Sequence, residues 1–373
     1  MHRNSRLHRP VGVLVCAAVL VASCGGNTAK PSATTPVPSI AVTPAPPAES
    51  PSPLTAGAST TAPSLNANPT PTPVRVKIEA GIPVPKPLGL AVLDNKVWVT
   101  TPSGAARIDP ATNTLTAVKF GSGSDEIDAI TAAGAAVWVS DYDASTVYRI
   151  DPKTMRVVAQ IPVGLNPEEI YATADAVWVA NHHAGTVSRI DSSSNLVVAT
   201  IKIGPEGSSG PQWIAVGLGS VWVSVPSLNS VVRIDAVTNT IQATIAGADG
   251  GIAVSTDAVW VTKEHSVARI DPQSNQIVAD VDIGGGAADP AVIGDAPWFA
   301  VVHDGSPGTV VRIDPATNRI DRVLTLLDEL GSTPVELSDA TLARAIAANS
   351  LWIGDASEPG RVLRVPLAAL SGQ

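Results

Sequence analysis

An all-β fold, a seven-bladed β-propeller of four-stranded antiparallel blades, is what the sequence predicts, and three observations predict it. A Val-Trp-Val core recurs around Trp98, Trp138, Trp178, Trp222 and Trp260, with looser copies at Trp298 and Trp352. These tryptophans are spaced 40, 40, 44, 38, 38 and 54 residues apart. Arg-Ile-Asp follows each, starting at Arg107, Arg149, Arg189, Arg233, Arg269 and Arg312, with Arg364-Val365 as a worn seventh copy. Third, every unit breaks into four short β-branched or alternating runs bounded by Gly, Asn, Asp or Ser, with no helical period.

The third unit shows the pattern. Strands are expected at 170–173, 176–180, 186–191 and 197–203, all rich in Val, Ile and Thr. The turn between third and fourth strands carries Asp-Pro-x-Thr-Asn, as at Asp109 to Asn113 and Asp314 to Asn318. Aspartate accepts from the turn's own amides, proline presets φ, and asparagine tolerates a left-handed exit. Antiparallel units of this length repeated in series are propeller blades. The chain ends soon after Arg364-Val365, which leaves the seventh blade without an outer strand. Residues 74–79, Val-Arg-Val-Lys-Ile-Glu, form a strand with no blade of their own. They are expected to complete that last blade, so that the ring is closed by an N-terminal strand and loses its open edge. An insertion ahead of the seventh tryptophan accounts for the 54-residue spacing, and a short helix is expected at 326–330.

The run Val-x-Arg-Ile-Asp-Pro-x-Thr-Asn-x-Val-Val-Ala-Thr-Ile-x-Val-Gly resembles the YVTN-type propeller repeats of bacterial proteins, over residues 74–368. It is similar, more distantly, to virginiamycin B lyase and lactonase-type propellers. The resemblance to the lyase implies a Mg²⁺-dependent elimination on the loop-rich rim, with a histidine as base and glutamates on the metal; Glu264 and His265 are the nearest candidates.

The N-terminal part reads differently. Arg3, Arg6 and Arg9 precede an apolar run at 11–22, the length of a signal-peptide core and short for a membrane span. It ends in Val21-Ala22-Ser23-Cys24, which resembles the bacterial lipobox. The expectation is a lipoprotein signal at 1–23, cleavage before a lipidated Cys24, and attachment to the outer face of the cytoplasmic membrane or the cell envelope. Multiple acyl chains hold stably where one is marginal. The rest of 24–73 is a Pro/Ser/Thr-rich tether with only Lys30 and Glu49 charged, a composition that stays disordered and reaches roughly 40 Å as a coil. The propeller domain is placed at 74–373.

Formal net charge is -9, and loss of the three leader arginines makes the exported chain more acidic still. That argues against nucleic acid, since little positive charge is available to neutralise phosphates. Both cysteines, Cys16 and Cys24, precede the repeats, so no disulfide or cysteine nucleophile is expected in the ring.

Tryptophan and Arg-Ile-Asp recur in nearly every unit and belong to the scaffold. Function is therefore sought in the uneven loops of one rim. Blade 2 offers Asp141 and Tyr142, blade 3 His182 and His183, blade 5 Glu264 and His265, and blade 6 His303 and Asp304. Asp128, Glu168, Glu169, Gln212 and Trp213 precede the first strands of blades 2 to 4 at the channel mouth. Two functions fit these residues. One is a cell-surface module, monomeric, that binds or scaffolds a protein, peptide or glycan and needs no cofactor. The alternative is a lyase or lactonase using the same rim with a divalent metal, Mg or Ca, held by His and carboxylate. Convergence of three or more of the His, Asp and Glu side chains on one point would separate them.

Overall fold

The computed structural model describes residues 71–373, apart from 122–126, 208–209, 288–289, 304–305, 338–339, 343–345, 358 and 372–373. The leader, Cys24 and the tether up to residue 70 lie outside the described residues. Seven sheets follow one another along the chain, antiparallel throughout except for one strand added to the sixth. Blade 3 consists of Pro167–Ala172, Ala176–Asn181, Thr186–Asp191 and Leu196–Lys202, in that order from the inside outwards.

Burial within a blade follows from stacking. The second strand is covered on both sides by neighbouring blades, so all six residues of Ala176–Asn181 are buried. The outermost strand alternates between exposed and half-buried residues instead. Its edge is open, and in blades 2 to 6 it carries a bulge opposite the Arg-Ile pair. Bulges twist an edge away from further pairing, which matters where Val158, Val198 and Val278 are exposed.

The core is divided among seven apolar clusters, one at each blade-to-blade interface. In each, the tryptophan of one blade meets the second-strand residues of the next: Trp138 against Val177 and Val179, Trp222 against Val259 and Val261, Trp352 against Val97 and Val99. All seven repeat tryptophans are almost completely buried.

The arginine of Arg-Ile-Asp lies opposite the tryptophan on the adjoining strand, as in Trp178 with Arg189 and Trp222 with Arg233. Its guanidinium stands 4.8–5.9 Å from the indole centroid in six blades. It then donates to the third-to-fourth-strand turn of the next blade. Arg149 reaches Ser192 O (3.0 Å) and Asn195 Oδ1 (2.8 Å), and Arg269 reaches Pro315 O (2.9 Å) and Asn318 Oδ1 (2.8 Å). Arg364 of blade 7 reaches Pro110 O of blade 1 at 2.7 Å and continues the series across the seam. Arg312 departs from the pattern. Blade 7 takes its outer strand from the N-terminus and so has no such turn to offer, and Arg312 pairs with Asp321 of its own blade.

The turns have the expected construction. Asn113, Asn195, Asn239, Asn275 and Asn318 all take positive φ, between 54° and 61°. The turn aspartates accept from the amides that follow, and their carboxyls titrate below the ordinary range. Asp191 is pulled down to about 2, first by the Ser193 hydroxyl and then by the amide and hydroxyl of Ser194.

Two expectations are corrected. The ring is closed by an N-terminal strand, but that strand is Ala80–Pro83, antiparallel to Arg361–Pro366. Val74–Lys77 instead adds to the outer edge of blade 6, parallel to the end of Arg319–Leu327. The chain thus straps two blades. Val76 and Ile78 enter the blade 6–blade 7 cluster, Glu79 pairs with Arg364 at 2.7 Å, and Gly81 N donates to Glu329 Oε1. The helix expected at 326–330 does not form. Strand Arg319–Leu327 takes up its first two residues, and Asp328 then closes a turn by accepting from Ser332 N, with its carbonyl accepting from Gly331 N.

Three outcomes follow from this construction. Arg233→Ala, which strips donors from Pro272 O and Asn275 Oδ1, is expected to cost about 2 kcal/mol in urea unfolding, whereas Arg312→Ala costs less than about 1. Removal of residues up to 83 should abolish the cooperative transition, while removal up to 70 leaves it in place; circular dichroism and gel filtration read both. Because the turn aspartates have folded pKa values below their unfolded ones, their contribution is present above about pH 4 and is lost as pH falls towards 2. Melting temperature should drop across that window, and less steeply in Asp191→Asn.

Candidate functional site

The rim is shaped where first strands enter the ring. In blade 2 the pairing register between first and second strands slips between Ile127 and Ile130, and in blade 3 between Pro167 and Ile170. These irregularities contain Asp128 and the Glu168-Glu169 pair. A bulge re-aims side chains away from strict alternation. The residue after Val-Trp-Val helps to hold this end of the first strand. Thr100 Oγ accepts from Gly89 N, Ser140 Oγ from Ala129 N, and Thr262 Oγ from Gly251 N, while Ser224 Oγ donates to Gly250 O. That serine or threonine is visible in the repeat but was not among the residues singled out from the sequence.

Blades 2 to 4 bring one group together. Gln212 Nε2 donates to Glu168 Oε1 at 3.1 Å, and His182 Nδ1 lies 3.7 Å from Glu168 Oε2. The Glu168 and His182 side chains are only 10% and 14% exposed, and His182 Nδ1 is buried with no hydrogen-bond partner. The His183 ring stands edge-on to that of His182, with centroids 5.0 Å apart, and its Nδ1 shares a hydrogen bond with Tyr142 Oη at 3.1 Å. Backbone contacts fix the frame: His182 N donates to Asn166 O, and Asn166 Nδ2 donates to Tyr142 O. Gly210 is packed so closely on His182 that a Cβ there would lie 1.9 Å from the His182 carbonyl oxygen.

The other predicted residues are placed differently. Asp141 is completely buried, and its Oδ1 accepts from Ala144 N at 2.9 Å, so it caps its own loop from inside the scaffold. Glu169 is half-buried beside Glu168. Trp213, the one tryptophan of the ring outside the repeat, is half-buried against the blade 4–blade 5 cluster. Glu264 and His265 form a separate pair on blade 5, 3.7 Å apart and about two-thirds exposed. His303 ends the second strand of blade 6, and Asp304 lies outside the described residues.

Among the described residues, no three His, Cys, Asp or Glu side chains are grouped to hold a metal ion. A Mg²⁺ site of the kind implied by the lyase resemblance wants an octahedral oxygen shell with one or two anchoring carboxylates and a shaped surround. Glu264 offers one carboxylate on an open loop with no second carboxylate grouped beside it, and the described residues do not fit that ion.

Sequence reasoning missed one further feature. A cavity of about 160 Å³ sits among the first strands of blades 3 to 6, lined by Tyr171, Val216, Val254 and Val292 among others. It lies towards the turns between first and second strands, at the end of the ring opposite the histidines.

Fold and rim together define a seven-bladed β-propeller with a polar rim site on blades 2 to 4. Its structural neighbours include a catalytically inactive virginiamycin B lyase from Staphylococcus aureus with quinupristin, at 17% identity and TM-score 0.61, covering 76% of this chain and 95% of that one. A streptogramin B lyase structure matches at 15% identity and TM-score 0.61, over 77% and 95%. A chain of the mitotic checkpoint complex matches at 12% identity and TM-score 0.63, over 82% and 98%. At such identities the likeness is one of fold alone. No family model and no curated protein matches the sequence.

Proposed function

We propose that this chain is a lipid-anchored binding module of the cell surface, which presents the blade 2–4 rim to a protein, peptide or glycan ligand. One observation carries the reading. Among the described residues, the rim's ionisable side chains are spread over separate contacts, Glu168 with Gln212 and with His182 3.7 Å away, and Tyr142 with His183, rather than converging on one reacting point. Such an arrangement offers several fixed donors and acceptors over two blade junctions. Recognition uses that; an elimination centre needs a base and an electrophile aimed at the same substrate atom. The lipobox-like Val21-Ala22-Ser23-Cys24 and the Pro/Ser/Thr-rich tether support a site of action outside the membrane.

The test is made on the full-length chain in its own envelope. Cys24→Ala should move the protein from the detergent phase to the aqueous phase on Triton X-114 partition. Wild type should retain an envelope component on affinity capture, and Tyr142→Phe with His182→Ala should reduce retention at least tenfold at unchanged melting temperature. Quinupristin with Mg²⁺, the lyase-type challenge, should come back intact by mass spectrometry. Linearised quinupristin would overturn the proposal in favour of a lyase.

A further inference from the structure

We infer that the N-terminal strap is an exchangeable part, and that two copies of this chain close each other's rings by trading residues 74–84. The strap is a separable unit with a fixed set of partners. Val76 and Ile78 enter the blade 6–blade 7 cluster, and Ile82 and Val84 enter the blade 7–blade 1 cluster. All four are 0–6% exposed, so a strap left in water would uncover four core side chains and the edge of Arg361–Pro366. It therefore has to dock somewhere. A second copy offers the same groove, the same register and the same Arg364 for Glu79. The contacts are equal in the two arrangements, and what distinguishes them is the hinge that leads from the strap into blade 1.

That hinge is unlike the other links between blades. Among the described residues, each of the seven connectors contains a residue with left-handed φ. It is Gly121, Gly207, Gly247, Gly284 and Gly331 in five of them and Asn166 in a sixth. Glycine takes such angles without steric cost, and asparagine tolerates them. The closing connector puts Lys86 there, at φ 44°, between Pro85 and Pro87. A residue with a Cβ pays for that conformation, and the following proline ring pushes Lys86 towards extended backbone. The bend is also tightly held. Leu88 N donates to Lys86 O at 2.9 Å, and a Cβ on Gly360 would lie 2.5 Å from Val84 O and 3.0 Å from Lys86 N. Left to itself, a Pro-Lys-Pro segment runs straight in the polyproline manner.

Straightening at Lys86 releases the strain and carries the strap away from its own ring. Short hinges under strain are those that favour exchange over self-closure. Residues 85–88, extended, span roughly 14 Å, which brings two rings together at their blade 7–blade 1 seams. Reciprocal exchange closes as a two-fold dimer and leaves no strap free to recruit a third chain. The time for it is before the ring shuts, because the strap is made first and its partners last, 271 residues away for Glu79 and Ser350. The monomer expected from the repeats and the exchanged dimer are two ways of making one set of contacts.

The experiment uses the full-length chain in detergent, refolded from urea at about 100 µM, a concentration at which incompletely folded chains meet. Gel filtration with light scattering gives the mass. Arg75 and Thr325 are register partners on the strap and blade 6, and neither is buried. With Cys16 and Cys24 replaced by alanine, Arg75→Cys and Thr325→Cys place the only two cysteines of the chain. Oxidation then links them within one chain in a self-closed ring and between chains in an exchanged pair. A dimer that persists on dilution is expected, and on a non-reducing gel it should run at twice the chain mass. Lys86→Gly, which takes the bent conformation freely, should lower the dimer fraction at least fivefold, while Lys86→Ala stays at the wild-type level. Monomer alone at that concentration overturns the inference. So does a dimer whose disulfides all lie within single chains, or one that Lys86→Gly leaves undiminished.

Discussion

The ring depends on one repeated linkage, an arginine stacked on its own blade's tryptophan and hydrogen-bonded to the next blade's turn. Arginine suits this position because its planar, permanently charged guanidinium lies flat on an indole and still directs donors sideways. Lysine would give up the stacking and the fork. The linkage combines three requirements at one register position: burial of the tryptophan between blades, alignment of the facing strand, and capture of a left-handed turn in the neighbour. A blade alone would leave both faces of its second strand in water, so no blade is stable without the next. The angular step from blade to blade is thereby built into side chains that repeat in sequence.

This repetition explains why so much of the fold was legible. Trp178 and Arg189 take their place for local reasons that recur in all seven units, and Asn195 for one that recurs in five, and that recurrence identifies the scaffold without a structure. The closing strand was assigned one segment too early for an equally physical reason. Residues 74–79 alternate like the fourth strands, and two of their apolar residues are buried as that alternation implies. Their partner, however, is the already complete edge of blade 6. The true closing strand is Ala-Gly-Ile-Pro, a poor strand by composition, held by Ile82 and Val84 in the blade 7–blade 1 interface and by the pairing of Glu79 with Arg364. Local propensity is blind to such tertiary support. The missing helix at 326–330 has a similar cause: Leu326 and Leu327 are buried beside the N-terminal strap, and Asp328 stops the chain with a turn.

The rim was legible only as a list of residue types. Histidines, carboxylates and the odd tryptophan stand out because they break the repeat, yet nothing in the sequence pairs Glu168 with Gln212, 44 positions away. Nor does it show that Asp141 turns inward while Tyr142 reaches His183. Those facts depend on inner-strand bulges, and bulges are set by how the top of each blade meets its neighbours. A shared ring also says little about use, since the neighbours in fold include lyases and a chain of a mitotic assembly.

The double strap has a consequence for how the molecule is made. Glu79 and Ser350 touch although they are 271 residues apart in sequence. As the chain emerges, its first strands must wait for the last blade before they find their partners. Until then blade 6 and blade 7 each keep an unpaired edge. Blades 1 to 5 stack on sequential neighbours and gain contacts early, so the slow event is one long-range closure whose entropic cost grows only slowly with loop length. The interval before closure is when this otherwise edge-protected chain is most open to association with other chains, and its length is set by the time that nearly three hundred residues take to emerge.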